Sequence, residues 1–402
     1  MSARRLQQLV AVLFACVASR TATAQIYPLA TNEPNGSPTV SRLSDDGRLK
    51  RFPPFDGRAE ATLPGSVRLI DYTTAGEAAA PAENLDCGKA VSDCSQPFWA
   101  HRTGVFGEYL LLRPRDAEVA FAVPFNGAIF PPPNNPIQVG PVALVDPDYS
   151  SGFRVGGTWA WDQCTSLVAT YTSFDSHTSQ VANVDAPLVL RSLVAHPGTL
   201  NAGADYLSAA ADLNVDFQTM DLDYRAIWWL GECSVVNWSM GVRYARLTQD
   251  FRSQFSQTGT RDEITTGVAF DGGGIRLGLD GERHHASRGF LLYGKTAMSL
   301  VAGEFRAAYF QGSDQDPEIV NTAWKAGRLV PILDLELGAG WQSCNGRLRF
   351  TAGYVASMWF NTLTTDSWIR SVQQSTFVGQ ADAVSQDTLT FDGFVAHAEY
   401  RF

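Results

Sequence analysis

The chain has 402 residues, a formal net charge of −10, and 45% hydrophobic residues that gather into no long block. An acidic balance of this size excludes nucleic acid as a partner, and no run after the first twenty-odd residues approaches the ~20 apolar residues of a spanning helix. Thirty-five glycines and 11% aromatic residues, dispersed among polar ones, are instead what alternating strands produce.

At the N-terminus, Arg4 and Arg5 precede an apolar run from Leu9 to Ala18, and Ala22-Thr23-Ala24 supplies small residues for cleavage before Gln25. This is the pattern of a secretory signal peptide, so residues 1–24 are expected to be removed and the mature chain to leave the cytoplasm. Bulky Phe14 in Leu13-Phe14-Ala15-Cys16 argues against a lipoprotein cleavage site. Loss of Arg4, Arg5 and Arg20, with no acid, leaves 28 basic against 41 acidic residues, or −13. Residues 25–100 carry eight prolines and no sustained period, and read as a mostly irregular periplasmic extension. Cys87 and Cys94 are spaced for a small disulfide loop in an oxidising compartment.

From residue 101 onward the chain alternates. Phe153, Val155, Gly157, Trp159 and Trp161 interleave with Arg154, Gly156, Thr158, Ala160 and Asp162. Met220, Leu222, Tyr224, Ala226, Trp228 and Leu230 oppose Thr219, Asp221, Asp223 and Arg225, and Val236 to Tyr244 oppose Asn237 to Arg243 in the same way. Leu333 to Trp341 and Leu348 to Met358 repeat the split, and the chain ends Phe394-Val395-Ala396-His397-Ala398-Glu399-Tyr400-Arg401-Phe402. Successive strand side chains point to opposite faces, so each segment has one greasy and one polar face. The strands are expected near 104–114, 150–162, 167–176, 213–230, 235–251, 264–280, 288–309, 328–342, 347–362 and 387–402. A hairpin hidden in the first two long connections would raise the count.

Short turns near 163–166, 232–234, 281–287 and 343–346 alternate with long connections at 115–149, 177–211 and 363–386, the asymmetry of short periplasmic turns and long outer loops. An open sheet edge in hydrocarbon would leave backbone groups unpaired at several kcal/mol each, so the sheet must close. The expected fold is all-β: an antiparallel transmembrane β-barrel of about 10–12 strands over residues 101–402, with both ends on the periplasmic side. Gly272-Gly273-Gly274 is followed by no helix and reads as a bulge or bend in a strand.

Three stretches resemble one family. Gly104-Val105-Phe106-Gly107-Glu108-Tyr109-Leu110-Leu111-Leu112-Arg113-Pro114, Phe270-Asp271-Gly272-Gly273-Gly274-Ile275-Arg276-Leu277-Gly278-Leu279 and the closing strand are similar to pore-forming outer-membrane proteins related to the Legionella major outer-membrane protein. The likeness covers about Phe98 to Phe402. It implies a pore-forming barrel in the cell outer membrane, and it brings no solute and no catalytic residues.

Inward charges are the functional candidates. Glu108, Arg154, Asp221, Asp223, Arg225, Arg243, Arg276, Lys295, Asp334, Glu336, Arg347, Arg349, Glu399 and Arg401 fall on polar faces. They either line a water path or pair with one another and fill the lumen, as in barrels near eight strands. The first alternative is a porin-like channel for ions and small polar solutes, with a mild cation preference from the acidic balance. The second is a plugged barrel whose outer loops bind a partner or surface. Trp159, Trp161, Trp228, Trp229, Trp238, Trp341, Tyr244, Tyr354 and Phe360 are expected in headgroup girdles. A Cys164–Cys233 bridge between neighbouring turns would leave Cys344 odd.

No nucleophile elbow is present, and the six histidines are scattered, with His284-His285 read as a solvated turn pair. The leading reading is therefore not an enzyme and needs no cofactor or metal; a barrel lipid-modifying enzyme, with a Ser-His-acid site assembled across strands, is the third alternative. Tyr400 and terminal Phe402 match the signal read by the outer-membrane assembly machinery. Outer-membrane lipid and small solutes are the other expected partners. Porins of this kind are often trimers, though no residue marks a trimer face.

Overall fold

A computed structural model describes residues 42–43, 49–50, 97–127, 136–199, 205–257, 259–285, 289–374 and 386–402. The chain divides into two units, 1–79 and 80–402. In the first, Arg42–Leu43 pairs antiparallel with Leu49–Lys50. The signal-peptide residues 1–24 and the Cys87–Cys94 loop lie outside the described residues.

The second unit holds β1 (Gly104–Arg115), β2 (Val119–Phe125), β3 (Ala143–Val145), β4 (Ser150–Ala160), β5 (Thr165–Asn183), β6 (Val189–Ser192), β7 (Asp205–Tyr206), β8 (Ser208–Leu230), β9 (Ser234–Gln257), β10 (Thr260–His284), β11 (Phe290–Ser313), β12 (Val320–Gln342), β13 (Leu348–Thr362), α1 (Thr365–Gln373) and β14 (Asp387–Arg401). Ten of these close a barrel in the order β8-β9-β10-β11-β12-β13-β14-β1-β4-β5. Each pairs antiparallel with its neighbours, including β14 with β1 and β5 with β8. Closure leaves no strand edge, which is what lets a sheet stand in lipid.

β2, β3, β6 and β7 form a separate four-stranded sheet in the first two long connections. The described residues of those connections add no spanning strand; they pair with each other, Ala122 with Ser192 and Phe125 with Val189. Two of the five outer connections are short, 258–259 and 314–319, because β9 to β12 are themselves 23 to 25 residues long.

These long strands change character part-way. On β8, Met220 and Leu222 point outward and are exposed, while Asp221 and Asp223 point inward and are buried. Below residue 218 the parity holds and the chemistry inverts: Leu213, Val215 and Phe217 are buried inside, while Asp212, Asn214 and Asp216 face out. β9 inverts between Tyr244 and Ala245, β11 between Leu300 and Val301, and β13 between Tyr354 and Val355. The outward apolar stretch on β8, Met220 to Leu230, runs about 34 Å along the strand, or about 26 Å along the membrane normal at ~40° tilt, which matches the lipid band of such barrels. Residues above it belong to an extension beyond the outer leaflet, built like a water-soluble β-structure with its own apolar core.

Within the barrel, strand register is regular except after Ile227 and after Trp359. The first irregularity leaves both Trp228 and Trp229 exposed at the short-turn rim, which also carries exposed Trp159, Trp161 and Trp341. At Gly272 to Gly274 there is no bulge, because pairing with β9 and β11 runs through without a shift. A Cβ on Gly274 would collide with the Leu300 carbonyl oxygen, so here glycine permits the close approach of the β10 and β11 backbones.

Candidate functional site: the barrel interior

Three layers fill the interior between the short-turn rim and the outer loops. At the level of the lipid band it is ionic. Arg243 forks onto Asp221, Nε to Oδ1 at 2.6 Å and Nη2 to Oδ2 at 2.8 Å, and its Nη1 donates to Asp334 Oδ2 at 2.7 Å. Arg276 bonds Asp223 and lies 3.7 Å from Asp221 and 3.8 Å from Asp334. Arg154 binds Glu108 at 2.5 Å and reaches Glu336 at 3.4 Å, while Lys295 binds Glu336 at 2.9 Å. His397 Nδ1 lies 2.8 Å from Glu108 Oε1. Nearer the rim, Arg401 pairs with Glu399 at 2.7 Å, Arg349 with Glu282 at 2.9 Å and Arg225 with Asp280 at 2.7 Å.

The register produces this network. Asp221 sits directly opposite Arg243, Arg276 opposite Gly241, Lys295 opposite Glu336, and Glu108 opposite both Arg154 and His397. Opposite charges at facing positions are the sheet's own way of placing ion pairs. Gly241 bears no side chain, and a Cβ there would strike Asp223. Among the described residues, eight carboxylates face seven arginines and lysines in this layer. A lining so nearly neutral gives no ring of one sign, so the cation preference expected from the whole-chain balance has no counterpart here. Between the pairs remains a cavity of about 200 Å³. Buried atoms with no hydrogen-bond partner, Asp223 Oδ1 and Arg276 Nε among them, belong to this layer and call for water.

Above it lies an aromatic layer. Phe174, Phe217, Trp359 and Phe391 project inward from β5, β8, β13 and β14, with centroids 4.6 Å apart for Phe217–Phe391, 5.4 Å for Phe174–Phe217 and 5.9 Å for Phe217–Trp359. All four are buried.

The third layer comes from the loops. Thr364 caps α1 through the Ser367 amide, and Ser367 returns a bond to the cap, a reciprocal arrangement that fixes the helix start. Trp368, Ile369 and Val372 are buried on the helix face, and Gln249 from the wall donates to Leu363 O at 2.9 Å. Val119, Phe121, Leu190 and Val194 pack in the same cluster. Tyr309 donates to Val194 O at 2.9 Å and Gln311 accepts from the His196 amide at 2.9 Å, so the first and second loops fold into the barrel's outer end.

Of the charges singled out from the sequence, Glu108, Arg154, Asp221, Asp223, Arg225, Arg243, Arg276, Lys295, Asp334, Glu336, Arg349, Glu399 and Arg401 all point inward. Arg347 does not: it is exposed in the turn before β13, since that strand starts one residue later. Tyr400 and Phe402 face outward and are exposed. The Cys164–Cys233 bridge is not made. Cys164 and Cys344 are free exposed thiols, and Cys233 is bonded elsewhere. His284 is not a solvated turn residue either, because β10 extends through it, its ring meets that of Phe98 at 4.6 Å with a 40° tilt, and its Nε2 lies 3.2 Å from Glu282.

Sequence reading missed the aromatic and loop layers. The parity inversion is the signal that points to them: inward positions turn apolar where a water-filled bore would keep them polar. Among the described residues no group of three or more His, Cys, Asp or Glu is arranged to hold a metal.

Comparison with known protein families agrees with the architecture. Residues 104–402 match the family described as Legionella pneumophila major outer membrane protein precursor. Among solved structures, the outer membrane protease OmpT of Escherichia coli aligns at 9% identity over 77% of this chain and 99% of its own, with a TM-score of 0.43. A Pseudomonas aeruginosa FadL homologue aligns at 7% identity over 75% and 90%, with a TM-score of 0.22. Searched against curated proteins, the chain finds no match. With a ten-stranded closed barrel, a greasy outer band and a family match spanning every barrel strand, this chain is an outer-membrane β-barrel of the Legionella major outer membrane protein family.

Proposed function

We propose that this barrel is closed to free diffusion at rest and works at its outer end, as a rigid platform whose loops meet a partner or surface. The single observation that supports this most is the apolar stopper. Phe174, Phe217, Trp359 and Phe391 touch across the bore, and Phe121, Leu190 and Trp368 stand fully or nearly fully buried above them. Hydrated ions do not cross such a layer, because stripping a charge into apolar surroundings costs far more than thermal energy. The ionic layer beneath then acts as filling: its charges neutralise one another in pairs and hold the bore's cross-section. No covalent chemistry enters this reading.

A second reading is favoured by one observation. The 200 Å³ cavity, walled by charges of both signs, is the lining a pore for ions and small polar solutes would use once the stopper moved. Planar-bilayer recording of the purified full chain decides between them. The closed platform predicts a flat current at 100 mV in 1 M KCl. Steady single-channel steps in the unmodified protein overturn it in favour of the pore.

A further inference from the structure

The stretch from Pro97 to Thr103, just before β1, lies at the short-turn rim and puts one titratable ring among the wall residues. His101 Nδ1 lies 2.9 Å from Ser166 Oγ and Nε2 lies 3.1 Å from Asn237 Oδ1, and the His101 amide donates to Gln163 O at 2.9 Å. Ala100 is buried, Phe98 packs against the His284 ring at 4.6 Å, and Arg102 Nη1 donates to Asn345 O at 2.8 Å. Serine, imidazole and amide in a row suggest a hydrolase. Yet Ser166 is fully buried and the adjoining cavity is about 30 Å³, room for one water and for no substrate. The row is an anchor.

We infer that residues 97–103 form a stopper across the periplasmic mouth whose hold requires a neutral His101, so that mild acid releases it. The neutral ring accepts a hydrogen bond from the Ser166 hydroxyl at Nδ1 and donates one from Nε2 to Asn237 Oδ1. A second proton would place a cation among cations. Arg225 of β8, Arg349 of β13, Arg401 of β14 and the stretch's own Arg102 line the same small cavity. The facing carboxylates are already engaged, Asp280 by Arg225, Glu282 by Arg349 and His284, and Glu399 by Arg401. Asp162 in the adjacent turn is held by the Cys164 and Thr165 amides.

Burial first, and Arg225 next, hold the docked imidazole below its ordinary value. The sign follows: the released ring binds protons more readily than the docked one, so docking is favoured above about pH 6.5 and weakens as pH falls through the docked pKa. Release would join the ion-lined cavity to the periplasm.

Hydrogen exchange of the full chain in lipid vesicles, corrected for the intrinsic rate at each pH, tests this. Protection of the peptide spanning 98–104 should fall at least tenfold between pH 7.5 and 5.5, with the β8 peptide unchanged. His101→Gln, whose amide can make both bonds without titrating, should show no pH effect. Asn237→Asp, which gives the imidazolium a counter-charge, should move release to lower pH even if the first variant folds poorly. Equal protection at both pH values, or an undiminished loss in His101→Gln, overturns the inference.

Discussion

Arg243→Met separates the two roles that buried charges can play, because it removes a cation while nearly keeping its volume. In the structure three charge-assisted bonds, at 2.6, 2.8 and 2.7 Å, tie this side chain to Asp221 and Asp334. Both Asp221 and Arg243 are below a tenth exposed. Breaking a buried pair by deleting one partner costs about 3–5 kcal/mol, since the other charge is left uncompensated. Arg276, 3.7 Å from Asp221 and 3.8 Å from Asp334, takes up part of that charge. The expected loss is therefore at the low end, about 3 kcal/mol, or about a hundredfold in the folding equilibrium. Urea unfolding in phospholipid vesicles, followed by tryptophan fluorescence and by migration of unboiled samples on gels, measures it. The control is Asp221→Asn/Arg243→Met/Asp334→Asn, in which no charge is orphaned and most of the stability should return. If the single variant costs under about 1 kcal/mol, or if the triple variant is as unstable as the single, mutual neutralisation does not hold the ionic layer together.

Two further outcomes are expected. Gly274→Ala places a methyl group against the Leu300 carbonyl, so the β10–β11 pair should separate locally; we expect little heat-modifiable barrel in membranes, whereas Gly273→Ala, whose Cβ would meet only the Arg243 carbonyl oxygen at 3.9 Å, should assemble normally. Asp216, on the outer extension above the lipid band, has its carboxyl pushed up to about 6, by burial first and then by Asp175 and Asp250. A raised carboxyl pKa stabilises the fold below the unfolded value of about 4 and loses that contribution as pH rises through 6. Asp216→Asn should thus gain about 1 kcal/mol at pH 7.5, after allowance for partial exposure, and nothing at pH 4, read from unfolding midpoints at the two pH values.

Much of the barrel was legible because two independent signals coincided. Alternation from Met220 to Leu230 and from Val236 to Tyr244 gave the faces, and turns such as Glu232 to Ser234 gave the hairpins; both strands and their short connection are present. The inward charges could be assigned for the same reason, and Arg347 escaped only because turn and strand differ by one residue there. What alternation alone could not convey was the filling. Phe217 and Asp221 share a face four residues apart, and only the pairing of β8 with β5 and β9 puts one beside other rings and the other beside Arg243. The loop stopper depends on contacts such as Gln249 with Leu363, 114 residues apart, which no local pattern encodes. The failed Cys164–Cys233 bridge has the same origin, as spacing in sequence gave no distance between the thiols.

The inversion of polarity along each strand bears on how the barrel keeps its register. A slip of β8 by a single residue against β9 would turn every side chain to the opposite face at once. Asp221 and Asp223 would then enter the acyl chains just as Leu213, Val215 and Phe217 swung into water, so lipid and solvent would penalise the same error at two heights. Neither zone could relax without worsening the other. Strands of this length, which in a uniform sheet would be prone to sliding, are thus clamped at both levels, with no need for the turns to enforce alignment.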